Sequence, residues 1–126
     1  MARKAISARD AVAVGPYSHA VDSDGLVFFS GQTPVDPASK QLVSGGIQEQ
    51  TAQAFRNLFA VMQTAGLTAD DVQKVNVYLT DMDNFAAMNE VYQRQFKQPY
   101  PARTTIAVLA LPLGAQVEIE MVARRS

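Results

Sequence analysis

Tyr100-Pro101-Ala102-Arg103-Thr104-Thr105-Ile106, running on through a short turn to Val117-Glu118-Ile119-Glu120-Met121-Val122-Ala123, decides how the rest of the chain is read. Pro101 fixes φ and biases Tyr100 toward extended backbone, so the chain should enter this region as a strand. Residues 117, 119, 121 and 123 are apolar and share one strand face, while Glu118 and Glu120 share the other, about 7 Å apart. Pro112 and Gly114 mark a turn between the two runs. If residues 103–109 and 117–123 pair as an antiparallel hairpin around that turn, Arg103 lies at the open end and Glu118 near the turn. They are then roughly 15 Å apart along the sheet and would not share one small ligand within a chain. If both act on it, a second subunit is expected to supply one of them. The chemistry is suggestive, since Arg offers a planar fork that matches a carboxylate and Glu can hold and deprotonate a water. Taken alone, the same residues also describe a solvated strand face with a surface ion pair, the default for such side chains.

Working outward, 126 residues suffice for one domain, residues 1–126, with a sizeable core. Hydrophobic content of 48% with 18% charged residues is that of an ordinary globular protein. A formal charge of −1 and the lack of a basic stripe argue against nucleic acid as a partner. The absence of cysteine removes disulfides, thiolate metal sites and a catalytic thiol. One histidine cannot build a multi-histidine metal site. Apolar runs are too short to span a bilayer, and Met1 to Ile6 is followed by no long apolar segment, so neither a membrane anchor nor a signal peptide is expected. A cytoplasmic location is the expectation.

Ala5-Ile6 is expected to start a short edge strand, Gly15-Pro16 to turn the chain, and Tyr17 to Val21 to form a strand. Asp22-Ser23-Asp24-Gly25 should close a hairpin. Leu26-Val27-Phe28-Phe29 is a continuous apolar run, suited to a strand covered on both faces and ending at Ser30-Gly31-Gln32-Thr33-Pro34. A small, Gly-containing stop offers backbone donors to a ligand, or is a plain strand exit. Residues 36–46 show no period. Apolar residues at 47, 54, 55, 58, 59, 62 and 65 predict a helix with one core-facing stripe, with Gly66 beyond its end. Thr68 and Asp71 predict a capped turn, and Val75, Val77 and Leu79 one face of a strand. Asp81 or Asp83 should cap a second helix whose stripe is Phe85, Met88, Tyr92 and Phe96, with Asn89 beside it. The order predicts an α+β domain, a mixed sheet with two helices packed on one face. The other face is apolar and uncovered within the chain, which points to another subunit.

Gly15-Pro16-Tyr17-Ser18, Ser30-Gly31-Gln32, Asn89-Glu90-Val91-Tyr92, Pro101-Ala102-Arg103 and Val117-Glu118-Ile119-Glu120 occur in this order across essentially the whole chain. In that arrangement the sequence resembles the reactive intermediate deaminase family (RidA/YjgF-like; 2-iminobutanoate/2-iminopropanoate deaminases). The resemblance implies a chorismate-mutase-like fold and a homotrimer with ligand clefts between subunits. It also implies hydrolysis of 2-imino acids to 2-keto acids and ammonia, without metal or organic cofactor. Carried over by position, Arg103 would grip the substrate carboxylate, Glu118 would position the attacking water and Tyr17 would line the pocket as part of the catalytic set. Ser30, Gly31, Asn89 and Thr105 would bind substrate or support the pocket, and Glu120 would be structural. Thr105 departs from the cysteine frequent at that position, which bears on substrate preference. His19 stands where many relatives have glutamine and receives no role.

Other functions fit parts of this pattern. A module that senses 2-keto or other small carboxylic acids would need the same arginine, but would gain nothing from a nearby glutamate. A ribonuclease or translation inhibitor, a label attached to some relatives, lacks here a basic, aromatic-rich face. A chaperone-like role finds no positive feature.

Overall fold

The computed structural model describes residues 3–9 and 15–126; Met1 and Ala2, which open the segment searched for a leader, lie outside them. Among the described residues the strands are β1 (Lys4–Ile6), β2 (Ala20–Ser23), β3 (Leu26–Gln32), β4 (Val72–Leu79), β5 (Ala102–Ala107) and β6 (Val117–Arg124), and the helices α1 (Ile47–Thr64) and α2 (Phe85–Tyr92). The strands form one sheet in the order β1-β2-β3-β6-β4-β5. The β4–β5 pair is parallel and its neighbours are antiparallel, so the sheet is mixed, as expected. No described helix is long and apolar enough to cross a membrane.

β6 runs between β3 and β4, the most enclosed place in the sheet. Its alternation follows from that position. Val117, Ile119, Met121 and Ala123 are buried against the helices, and the residues between them face away. β4 alternates in the same way through Val75, Val77 and Leu79. Ala54, Phe55, Leu58, Val61 and Met62 of α1 and Met88 and Tyr92 of α2 close the core from one side. Each fully buried Val, Leu, Ile or Phe contributes about 1.5–3 kcal/mol, so this shared layer dominates stability. Phe55 meets Phe59, Tyr92 and Phe96 at ring-centroid distances of 5.6–5.8 Å, tying α1 to α2.

Several local expectations hold. Asp24 and Gly25 both adopt positive φ, 55° and 91°, and close the β2–β3 hairpin. Thr68 N–H donates to Asp71 Oδ2 at 2.8 Å, the capped turn that leads into β4.

Others are corrected. The strand expected over residues 17–21 begins only at Ala20, because Tyr17 N–H donates to the Gly15 carbonyl at 2.9 Å and holds residues 15–17 in a tight turn. The strand expected to stop at Ser30 continues to Gln32. Between Phe29 and Gln32 it carries one more residue than β6 does between Met121 and Ile119, so Ser30 and Gly31 sit on a β-bulge. Asp81 caps a 3-10 turn, Met82–Asn84, that precedes α2 rather than the helix itself.

The largest correction concerns the final strands. Residues 103–109 and 117–123 do not form a hairpin. β5 lies at the sheet edge, parallel to β4, and β6 crosses past β4 to pair between β4 and β3. The order β4–α2–β5 is a β-α-β crossover, the kind of connection that parallel neighbours need.

Candidate active site

Arg103 pairs with Val75 in the parallel ladder. Val75 is fully buried under the helices, so Arg103 emerges on the helix side of the sheet. There α2 presents Phe85, Asn89 and Tyr92 at helical spacing. Arg103 Nη1 donates to Asn89 Oδ1 at 2.6 Å. Its Cζ lies 4.6 Å from the centre of the Tyr92 ring and 5.4 Å from that of Phe85. One nitrogen is anchored and the guanidinium carbon lies over two aromatic rings, which limits how far the fork can swing. Gln93, Tyr100 and Pro101 complete an open cleft around it. Thr105, two residues on, shares this face, and its buried hydroxyl has no protein partner among the described residues. The buried Tyr92 hydroxyl is likewise unpartnered, and burial pushes its pKa up against the opposing pull of Arg103.

Glu118 lies elsewhere. It alternates with buried Val117 and Ile119 and so faces away from the helices, opposite Tyr78 of β4. With Tyr17, Ser30, Gly31, Thr33, Pro112 and Glu120 it lines a second cleft. The bulge in β3 brings Gly31 against it: a Cβ at position 31 would fall 3.0 Å from Glu118 Cδ and 3.2 Å from Cγ. Only glycine leaves that space. Ser30 Oγ donates to the Ser18 carbonyl at 2.6 Å and Ser30 N–H to the His19 carbonyl at 2.9 Å, so the bulge also fixes the segment that carries Tyr17. Buried His19 in turn accepts the Ala8 N–H on Nδ1 at 3.0 Å, a tether between loops.

Glu118 is about half-buried, and its carboxyl is pushed above the usual range, first by burial and second by the charge of Glu120. Glu120 is held by the Tyr78 hydroxyl, which donates to Oε1, and by Asn76 Nδ2 at 3.4 Å. That hydrogen bond and burial push the Tyr78 phenol up to about 12, so it remains a donor.

The sequence-derived candidates thus fall into two sets. Arg103, Asn89 and Thr105 lie on the helix side; Glu118, Tyr17, Ser30 and Gly31 lie on the opposite face. The 15 Å separation along a hairpin is replaced by a separation through the sheet. Sequence reasoning missed the support groups Phe85 and Tyr92, placed only in a core stripe, and Asn76 and Tyr78, which alternate with the apolar residues of β4.

Fold and site define a class: a mixed-sheet α+β protein with an arginine cleft and a glutamate cleft on opposite faces. The chain belongs to the family described as Endoribonuclease L-PSP, whose model matches residues 8–125, and with it to the RidA/YjgF-like reactive intermediate deaminases. It is 45% identical over 122 residues to the 2-iminobutanoate/2-iminopropanoate deaminase of Mus musculus, covering 96% of this chain and 90% of that one. RidA from an Antarctic Psychrobacter species superposes with a TM-score of 0.93 at 42% identity, over 98% of this chain and 100% of the other. E. coli TdcF with bound serine superposes with a TM-score of 0.92 at 38% identity, over 98% and 99%.

Proposed function

We propose that the protein hydrolyses 2-imino acids such as 2-iminopropanoate and 2-iminobutanoate to 2-keto acids and ammonia. The observation that carries this reading is Glu118: a half-buried glutamate with raised proton affinity in a cleft beside Tyr17 and Gly31. Such a group weakens the binding of an anion but suits proton exchange with a bound water. The substrate carboxylate sits on the Arg103 fork. A protonated imine is already electrophilic, so water adds to its carbon while Glu118 takes one water proton. Glu118 returns that proton to nitrogen, the C–N bond breaks, and the hydroxyl proton passes to the departing ammonia as the carbonyl forms. One water and one iminium give one keto acid and one ammonium ion. No step asks for an organic cofactor or a metal.

Arg103 and Glu118 face opposite sides of the sheet, so the same reading calls for a second copy at each cleft, Arg103 from one chain meeting Glu118 of the next, and the family resemblance makes that assembly a homotrimer. Apolar side chains support it: Leu26 and Phe28 on the open sheet face, Ile106 on the edge strand, and Leu109 and Leu113 in the segment between β5 and β6 are exposed in the single chain. A chain that sediments as a monomer at micromolar concentration would rule this out. Mixed assembly tests it more sharply. Subunits with Arg103→Ala and with Glu118→Gln, each inactive alone, should regain about a quarter of wild-type activity when randomly mixed one to one. Sites built within one chain would regain none.

A carboxylate-sensing module is the second reading, favoured by the bound serine of E. coli TdcF. Ammonia and keto-acid release from freshly generated 2-iminopropanoate and 2-iminobutanoate separates the two. Tight keto-acid binding without release would establish the sensor. RNA cleavage, suggested by the family's descriptor, has little support from a chain of charge −1.

A further inference from the structure

The pair Glu118 and Glu120 raises a question the proposed reaction leaves open. Two carboxylates two residues apart on one strand face repel each other, yet both line the same cleft. One of them is built in. Tyr78, directly opposite Glu118 on β4, turns its hydroxyl to Glu120, and Asn76, directly opposite Glu120, adds an amide donor. Glu118 receives no hydrogen bond from a side chain or backbone group of the described residues, and the glycine at position 31 leaves its carboxylate room.

We propose that Glu120 is a positioning residue that acts through Glu118: pinned by Tyr78 and Asn76, its carboxyl group stands fixed beside that of its neighbour on the same strand face and biases the proton that Glu118 exchanges. The arrangement divides the labour between two like groups. The anchored carboxyl keeps its donors, while the unanchored one takes up and gives back the proton. The raised proton affinity of Glu118, to which Glu120 contributes alongside burial, agrees with this geometry.

The other groups around Glu118 do not do the same work. On its own strand the neighbour is Glu120. On β4 the ionisable residues of that face are Tyr78, which stays protonated, and Lys74, which pairs with Val122 farther along the strand. The β3 bulge contributes Ser30 and Gly31, the loop at residues 112–114 contributes Pro112, and the segment before β2 contributes Tyr17. In the proposed assembly Arg103 of a second copy would face the cleft, and its pull would be common to every variant below.

The chain has four glutamates, so carboxyl-labelled glutamate gives a carbon spectrum simple enough to follow Glu118 through a pH titration. Glu118 should titrate at lower pH in Glu120→Gln than in wild type. Glu120→Asp, which keeps the charge, should restore most of the difference. Tyr78→Phe, which frees Glu120 to move, should lower the midpoint by less and serves if the glutamine variant folds poorly. The acid limb of the pH–rate profile on 2-iminopropanoate should move down in parallel. A Glu118 midpoint that stays put or rises in both Glu120→Gln and Tyr78→Phe would overturn the proposal. The proposal rests on the deaminase reading only in its kinetic arm. If the wild type releases no ammonia, that reading falls, and the carbon titration still decides the role of Glu120.

Discussion

The two clefts are built on different physical plans. Around Arg103 the contacts are attractive: an amide oxygen accepts from the guanidinium and two rings lie close to its carbon. The cation is fixed before any ligand arrives, so little side-chain entropy is left to lose on binding. Around Glu118 the surroundings are adverse: burial and a second carboxylate both disfavour its charge. The first plan suits grip, and the second suits exchange of a proton. Substitutions should therefore separate binding from turnover according to which side of the sheet they touch.

The largest effect is expected from Glu118→Gln. It removes the base while keeping size and hydrogen bonding, so turnover should fall about 10²-fold or more, with keto-acid binding intact by calorimetry. Glu120→Gln should change the maximal rate much less, and loss of activity there with Glu118→Gln active would exchange the two assignments. Stability should move the other way. Because the folded state raises Glu118's proton affinity, ionising it costs folding free energy, and that cost grows as pH climbs through the carboxylate range. Glu118→Gln escapes it. Thermal melts should show the variant at least as stable as wild type near pH 7, with its relative advantage shrinking toward about pH 3, where the glutamate is protonated in both states. A variant clearly less stable at neutral pH would show that the Glu118 charge is welcomed rather than opposed.

Arg103→Lys attacks the other cleft. Lysine keeps the charge but loses the fork and its fit to the aromatic faces. Loss of one of two charge-assisted bonds should weaken carboxylate binding by about 1.5–3 kcal/mol, read as keto-acid affinity. Near-wild-type affinity and activity would remove Arg103 from the site.

Gly31→Ala should touch only the Glu118 side. The new methyl must displace the Glu118 side chain, which is flexible at its end, so the fold should survive while the carboxylate is misplaced. Turnover should fall about tenfold or more with keto-acid affinity unchanged. Unchanged turnover would mean that the carboxylate position seen here is not the working one.

What the sequence disclosed follows the same division between local and distant. The alternation of β6 and the stripe of α1 are local patterns, and both are plain at the level of residue type. The partner of β5 was not. Pro112 and Gly114 give the 110–116 turn the look of a hairpin, but the β4–α2–β5 crossover commits β5 to a parallel edge position before β6 is reached. The bulge at Ser30-Gly31 depends on counting residues against β6, ninety positions away, and leaves only a glycine as its trace. Asn89 and Arg103 are fourteen residues apart, and nothing in their spacing announces a bond. Arg103 stands out by its own chemistry and Ser30-Gly31 as a strand stop, but their roles, and that of Asn89, come from family resemblance, which marks positions without saying on which face they emerge.

The smallest predicted effect is the most specific to the Arg103 plan. Phe85 opens α2, partly buried, with its ring 5.4 Å from the guanidinium carbon, while the Tyr92 ring lies closer at 4.6 Å. Phe85→Leu keeps an apolar side chain of similar reach against the core but removes the ring's negative face. A partly exposed cation–π contact is worth about 0.5–1 kcal/mol. If all of that energy serves to hold the fork still, keto-acid affinity should drop roughly two- to fivefold. Tyr92 is the harder place to make the same change, since its ring also packs on Phe55 and Phe96 and its loss would loosen the core. Phe85→Tyr, which keeps a ring, should bind nearly as wild type does. The pair of variants distinguishes an aromatic platform from mere bulk: if leucine and tyrosine at position 85 bind equally well, the ring face contributes nothing, and the hydrogen bond to Asn89 with the Tyr92 ring is enough to orient Arg103.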